Sequence, residues 1–93
     1  MEQMQLLGSI VQHFEDRTVT CFIGCRDGQV GLLAAGSWEE ILPFRFQEIS
    51  QENGVLVARC NGRRVLYRLV EDGRGLRAAA VRPLRRRQIA LPA

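Results

Sequence analysis

The stretch at residues 69–84, "LVEDGRGLRAAAVRPL", predicts a β-hairpin. Two apolar runs flank a turn built on Asp72-Gly73 and Gly75, residue types that readily adopt the backbone angles of tight hairpins. The preceding run at 63–71, "RRVLYRLVE", alternates in the way that a half-buried strand does. We expect one face of this hairpin to point into a core through Val65, Tyr67, Leu69, Ala79 and Val81.

Three more dipeptides of the Asx-Gly type divide the rest of the chain: Asp27-Gly28, Asn53-Gly54 and Asn61-Gly62. Between them lie short runs rich in apolar and β-branched residues, which favour strands. Six short strands about ten residues apart are typical of an all-β meander, sandwich or small barrel. The runs are 18–25, 29–35, 41–46, 55–60, 63–71 and 76–84.

Two segments allow alternative interpretations. The apolar residues of segment 2–14 follow helical spacing, whereas Gly8 in its middle and the alternation that follows favour a strand. The segment "SWEEIL" at 37–42 also suits a short helix, because Ser37 is a competent N-cap with an acid three residues later. The region 29–60 therefore has room for an extra hairpin or a short helix.

Length and composition predict one soluble domain over residues 1–84, followed by a flexible basic tail over residues 85–93. The chain has 93 residues, of which 46% are hydrophobic, and lacks the roughly 18 consecutive apolar residues that a membrane helix needs. Its N-terminus carries an acid where a signal peptide has positive charge, so we expect a cytoplasmic or nuclear protein without a membrane partner. Three cysteines, an odd number, favour reduced thiols over disulfides.

Charge is divided unevenly along the chain. Residues 1–52 carry eight acidic groups and three arginines, whereas residues 53–93 carry ten arginines and two acidic groups. All thirteen positive side chains are arginines, whose planar guanidinium groups suit phosphates, carboxylates and aromatic faces. The arginines of the second half either bind an anionic partner or form a solvated face that balances the acidic half.

Three segments resemble the cold-shock domain family. Residues 61–84, "NGRRVLYRLVEDGRGLRAAAVRPL", are similar to the last two strands of that domain. Residues 8–17, "GSIVQHFEDR", resemble its opening strand, and residues 41–49, "ILPFRFQEI", resemble its second ribonucleoprotein motif. The resemblance covers about residues 8–84 and implies a five-stranded barrel of the oligonucleotide/oligosaccharide-binding (OB) type, with a strand at the N-terminus.

The chain departs from this family at the residues that bind nucleic acid. Cold-shock domains stack bases on exposed aromatic side chains, each worth about 1–3 kcal/mol, beside basic groups that contact the backbone. On the family pattern, both stacking phenylalanines of the first motif are replaced, by Val19 and Cys21, and one in the second motif is replaced by Pro43. Only the last aromatic of that motif is retained, as Phe46. The fold can therefore be inherited without its usual binding mode.

Two functions remain, both without catalysis. The first is a divergent cold-shock-like module that binds single-stranded RNA or DNA weakly through arginines; Arg59 and Arg77 are further phosphate contacts in this reading. The second is a protein-interaction or structural module, alone or in a larger host protein, that has lost nucleic-acid binding. Candidate nucleic-acid contacts are His13, Arg45, Phe46, Arg64, Arg68, Arg82, Arg85, Arg86 and Arg87. Candidate interaction residues are Val19, Cys21, Trp38 and Pro43, with Trp38 either a core residue or a contact anchor.

No motif predicts an enzyme, a metal site or a cofactor. The three cysteines and His13 do not follow the spacing of common zinc sites, and no local motif pairs a cysteine nucleophile with a base. The glycines do not form a phosphate-binding loop of the known types. We therefore expect no catalytic residues, no metal and no cofactor.

Overall fold

The computed structural model describes residues 3–72 and 75–81. Within these residues the chain is all β, as predicted, with eight strands and no helix. The predicted basic tail over residues 85–93, with Arg85, Arg86 and Arg87, lies outside the described residues, as does the candidate contact Arg82. The strands are β1 (Gln5–His13), β2 (Thr18–Arg26), β3 (Gln29–Ala34), β4 (Glu40–Phe46), β5 (Glu48–Glu52), β6 (Val55–Cys60), β7 (Arg63–Asp72) and β8 (Gly75–Ala80).

The strands form two antiparallel sheets of four, each a simple meander. The first sheet has the order β1-β2-β3-β4 and the second the order β5-β6-β7-β8. Three of the predicted Asx-Gly dipeptides make the tight turns, with positive φ at both residues of Asp27-Gly28, Asn53-Gly54 and Asn61-Gly62. Positive φ at both central positions matches the right-handed twist of the flanking strands, which explains why these dipeptides mark hairpins.

The core lies between the inner faces of the two sheets. Leu32 of β3 and Leu56 of β6 are the largest side chains with almost no exposed surface, and one belongs to each sheet. Phe46 and Tyr67 meet edge to face across the core, with ring centroids 6.1 Å apart. No polar or charged residue is buried in the described part of the chain. The core residues are Ile10, Cys21, Val30, Leu32, Leu42, Phe46, Ile49, Leu56, Ala58 and Leu69.

The sheets are joined at a corner, where a single residue, Gln47, separates β4 from β5. Its backbone N–H donates to the carbonyl of Arg59 at 2.8 Å, so the chain enters the second sheet immediately after leaving the first. The strand ladders nevertheless form two separate sheets in the described residues, not one sheet closed on itself. The five-stranded barrel implied by the resemblance therefore stays a prediction.

The two ambiguous segments have clear outcomes. The N-terminal segment is a strand, β1, with an irregularity between Leu6 and Gly8 where Leu7 is the extra residue. The segment 37–42 is not a helix: the Ser37 hydroxyl accepts from the Glu39 N–H at 3.2 Å, and β4 begins at Glu40. A strand that the sequence did not predict, β5, follows the corner and pairs with β6.

The inward face of β8 differs from the prediction. The register pairs Leu69 with Ala78 and Glu71 with Leu76, and both Ala78 and Leu76 pack against the core. Ala79 lies opposite the exposed Arg68, on the outer face, so the prediction that Ala79 points inward is wrong. The reason is the turn: it pairs Asp72 with Gly75, which shifts the alternation of β8 by one residue relative to the sequence-based expectation.

Candidate functional site

Four arginines line the outer face of the second sheet: Arg59, Arg64, Arg68 and Arg77, here called the arginine face. They occupy positions that alternate with the core residues of β6, β7 and β8, and all four are exposed. Arg59 and Arg64 are direct cross-strand partners, and Arg68 and Arg77 follow on β7 and β8. The hairpin turns therefore bring residues from a span of almost twenty positions onto one surface.

Two carboxylates at the edge of this face moderate its charge. The guanidinium groups of Arg59 and Arg64 lie 3.9 Å from the carboxylates of Glu48 and Glu52 on β5. Side chains in both pairs are more than half exposed, and pairs of this kind typically contribute about 0–1 kcal/mol. Like charges directly opposite each other are unfavourable, so Arg59 and Arg64 gain from any added anion.

An open depression of about 180 Å³ lies between these charged groups. The depression is lined by the four charged residues of these two pairs, together with Ser50 and Val57. Arg59 and Arg64 both line the depression beside Glu48 and Glu52, and arginine commonly binds phosphate through two parallel N–H donors.

The outer face of the first sheet is apolar and aromatic instead. Phe22, Trp38 and Phe44 form what we call the aromatic face. The rings of Phe22 and Trp38 are stacked, with centroids 5.5 Å apart and planes at 25°. Leu33, the cross-strand partner of Phe22, is buried although it does not belong to the main core. The aromatic face therefore covers a small apolar cluster of its own.

Trp38 is held in place by an unusual backbone conformation. Its φ is +63°, in the left-handed region that non-glycine residues seldom adopt. Its N–H donates to the carbonyl of Ala34 at 2.8 Å, and the N–H of Ala34 donates to the carbonyl of Glu39 at 2.9 Å. The turn thus presents the indole on the sheet surface, where it is 50% exposed.

Phe44 occupies a trough made by two glycines. A side chain added at Gly31 would come within 2.9 Å of the Phe44 ring and of the Leu42 carbonyl oxygen. At Gly24, it would meet the Met4 side chain at 2.9 Å. The guanidinium of Arg26 lies over the Phe44 ring, 4.1 Å from its centroid. The Phe44 ring therefore fills the space that side chains at these two positions would occupy.

The two faces point away from each other because the shared core lies between the sheets. Single-strand binding by the usual route needs aromatic rings and basic groups on one surface. Here the rings lie on the first sheet and most arginines on the second. A single strand on the arginine face would therefore be bound through its phosphates, without base stacking on the aromatic face.

The structure separates the predicted nucleic-acid contacts. Arg64 and Arg68 lie on the arginine face, whereas His13 ends β1, with its Nδ1 3.1 Å from the Thr18 hydroxyl. Arg45 is exposed on β4. Phe46 is 2% exposed and fills the core, so its ring has no surface to offer a base.

The predicted interaction residues are separated too. Trp38 and Pro43 are exposed, but Val19 packs against the core and Cys21 has no exposed surface. Burial raises the pKa of the Cys21 thiol above its ordinary value of 9.0, which keeps it protonated. Val19 and Cys21 face inward because odd-numbered residues of β2 point into the core.

Phe22 and Phe44 were missed as surface residues. The signal was present in "TVTCFIGC": if Cys21 faces the core, strand alternation places Phe22 outside. The family pattern drew attention to positions 19 and 21 instead.

No group of His, Cys, Asp and Glu side chains in residues 3–72 and 75–81 is arranged to hold a metal ion. This part of the chain also contains no helix that could span a membrane. Comparison with protein-family models, curated proteins and solved structures found no significant match. The two faces are therefore interpreted from their own geometry and charge.

Proposed function

We propose that the protein is a binding module for single-stranded RNA or DNA that contacts the phosphate backbone through the arginine face. The observation that carries the proposal is the strand register, which gathers Arg59, Arg64, Arg68 and Arg77 on one exposed surface. Neutralising phosphates releases condensed counterions, a favourable term that needs no base recognition.

The proposed binding is weak and has little sequence preference. Phosphate contacts position a protein on nucleic acid but carry no sequence information directly. Stacking contributes little, because the aromatic face lies on the opposite side of the core. With four arginines engaged, the logarithm of the affinity should fall with the logarithm of salt concentration with a slope of roughly −3, following about −0.7 per contact on single strands.

The resemblance to cold-shock domains supports the nucleic-acid context. The segment with the closest similarity, residues 61–84, contributes β7 and β8, which carry three of the four arginines. We include a distant cold-shock-like origin in the proposal, with the two sheets as a variant of the OB barrel. The binding mode itself does not depend on that origin.

The test is a titration of a labelled oligonucleotide at several salt concentrations. A double variant, Arg64→Gln with Arg68→Gln, should bind more weakly and reduce the slope by about 1.4, the value for two lost contacts on a single strand. Arg17→Gln is the matched control, since Arg17 lies in the first sheet's turn and pairs with Glu71. Equal slopes for all three proteins, or no binding at low salt, would refute the proposal.

A second candidate function, protein interaction, is favoured by a different observation. Large apolar side chains are exposed along β1 and at Trp38 on the first sheet. Large exposed apolar patches often mark a contact with another protein. This function would remain if the oligonucleotide titration showed no binding.

A further inference from the structure

The outer face of the second sheet carries an apolar row that crosses the strands between the arginines. Val57 of β6 and Leu66 of β7 are cross-strand partners. On the other side of Leu66, the N–H of Val81 donates to the Leu66 carbonyl at 2.8 Å. We call Val57, Leu66 and Val81 the apolar row. All three are half-buried, yet none belongs to the core cluster or to the side chains packed against it.

The position of Val81 follows from the same register that places Ala79. The hydrogen bond to Leu66 continues the β7–β8 ladder one pair beyond the pairing of Tyr67 with Ala80. Alternate residues of a strand share a face, so Val81 lies outward like Ala79, and the prediction that it faces the core is wrong. The outer face therefore gains an apolar side chain beside Leu66.

Arginines bound the apolar row on both sides along β7. Arg64 precedes Leu66 by two residues and Arg68 follows it by two, so all three side chains lie on the outer face. The two arginines are about 13 Å apart along the strand, at about 3.3 Å per residue. A nucleic-acid strand whose phosphates contact both arginines therefore crosses over Leu66.

An open depression of about 450 Å³ lies beside Arg64 at one end of the row, and we call it the apolar depression. Its lining in the described part of the chain is Arg64, Val65, Leu66 and Val81. The volume falls within the roughly 300–1,000 Å³ of ordinary ligand sites, which are mostly apolar with a few polar groups. Arg64 also lines the charged depression that contains Arg59. One guanidinium group therefore borders both depressions.

A charged site next to an apolar one suits the two parts of a nucleotide. The phosphate takes charged N–H donors, which Arg59 and Arg64 supply. The base has a flat face that packs against apolar side chains, and a guanidinium plane can stack on it as well. An acidic peptide would use the arginines but has no flat ring for the apolar depression.

We propose that the apolar depression takes a base of the bound strand, packed on Leu66 and Val81, while neighbouring phosphates contact Arg64 and Arg68. This inference rests on the proposed function and adds a base site to it. Aliphatic side chains accept the face of any base, so sequence preference stays small.

The base site selects single strands over duplexes. Phosphate contacts alone favour duplex DNA, which carries more charge per unit length than a single strand. A duplex keeps its bases paired and stacked, so none can enter the apolar depression without being unstacked. Only a single strand reaches the arginines and the apolar depression together.

Two oligonucleotides of equal charge test the base site. One is an oligothymidylate of about twelve nucleotides, and the other has the same backbone with abasic residues throughout. At low salt the wild-type protein should bind the oligothymidylate about fivefold more tightly, as expected from one modest apolar contact. Leu66→Thr should bring this ratio close to one and leave the affinity for the abasic strand unchanged, because the arginines remain.

Val70→Thr is the matched control and should keep the wild-type ratio. Val70 lies on the same face of β7, opposite Arg77, and is not among the described residues that line the apolar depression. Val81→Thr is an independent variant in case Leu66→Thr does not fold, and it should also lower the ratio.

Three outcomes would overturn the base site. Equal wild-type affinity for the two oligonucleotides would do so and leave phosphate binding by the arginine face intact. A wild-type ratio retained by both Leu66→Thr and Val81→Thr would place the base contact elsewhere. If the wild-type protein bound neither oligonucleotide at low salt, the proposed function would be refuted and the base site with it.

Discussion

The side-chain amide of Gln51 donates to the backbone oxygen of Val11 at 3.3 Å, linking β5 of the second sheet to the edge of the first. The same amide lies 3.3 Å from Oε1 of Gln12. These contacts link Val11 and Gln12 of β1 to the second sheet.

Gln51→Ala should lower the free energy of unfolding by about 0.5–1.5 kcal/mol, the usual net value of a protein hydrogen bond. Urea denaturation followed by circular dichroism would measure it. Gln29→Ala serves as the control, because Gln29 is exposed and its side chain makes no hydrogen bond among the described residues. Equal losses for the two variants would show that the Gln51 contacts contribute nothing specific.

Gly31→Ala should destabilise the protein by about 1–3 kcal/mol, the typical cost of adding a methyl group to a packed site. The added carbon would lie 2.9 Å from both the Phe44 ring and the Leu42 carbonyl oxygen, and a backbone oxygen cannot move aside easily. Gly8→Ala is the comparison, because nothing lies within 4 Å of the added carbon there. Thermal unfolding of both variants would measure the difference in stability. A larger loss of stability for Gly8→Ala than for Gly31→Ala would contradict the packing described for Phe44.

Cys21 should react with a thiol reagent far more slowly than Cys25 and Cys60, which are only partly buried. Mass spectrometry after timed alkylation would assign the modified sites. Labelling of Cys21 at the same rate as the other two would mean that the core between the sheets opens readily.

The raised pKa of Cys21 predicts that the free energy of unfolding falls at alkaline pH. Folding favours the neutral thiol, so its contribution is complete below the unfolded pKa and falls as pH rises from there toward the folded pKa. The loss should therefore begin near pH 9, and Cys21→Ala should remove that part of the pH dependence. An unchanged profile between pH 8 and 10 in the variant would assign the effect to other groups.

Glu52→Gln should strengthen oligonucleotide binding by roughly twofold to fivefold at low salt, since an exposed pair contributes up to about 1 kcal/mol. The substitution frees Arg64 from its partner at 3.9 Å and keeps the shape of the side chain. Glu39→Gln removes the same charge from the turn of the first sheet and is the control. An equal gain in oligonucleotide affinity for both variants would show that binding follows the net charge of the protein and not the arginine face.

The turns were the most predictable part of the fold. At Asn53-Gly54 and Asn61-Gly62 the residue types alone specify positive φ, and the hairpins follow from local backbone preference. β5 was missed because "EISQE" has a single buried residue, Ile49, and its strand conformation depends on pairing with β6. The same is true of β1, where only pairing with β2 decides between helix and strand.

The candidate site was predictable only in part. Arg64 and Arg68 belong to an alternating run, so their common face was evident from the sequence. Arg59 and Arg77 could not be placed beside them from the sequence alone. Their position depends on the strand register, and a turn that differs by one residue would move each to the other face of the sheet. Phe46 illustrates the opposite error: the motif similarity suggested a surface ring, whereas pairing with the buried Val30 places that ring in the core.

The meander order has a consequence for how quickly the chain folds. Each ladder in the described residues joins strands that are consecutive in sequence, so each pairing closes only a short loop. Short loops cost little chain entropy, and proteins dominated by local pairings fold faster than sandwiches whose strands cross between distant positions. Each half of the chain can form its own hairpins before the corner at Gln47 brings the two halves together.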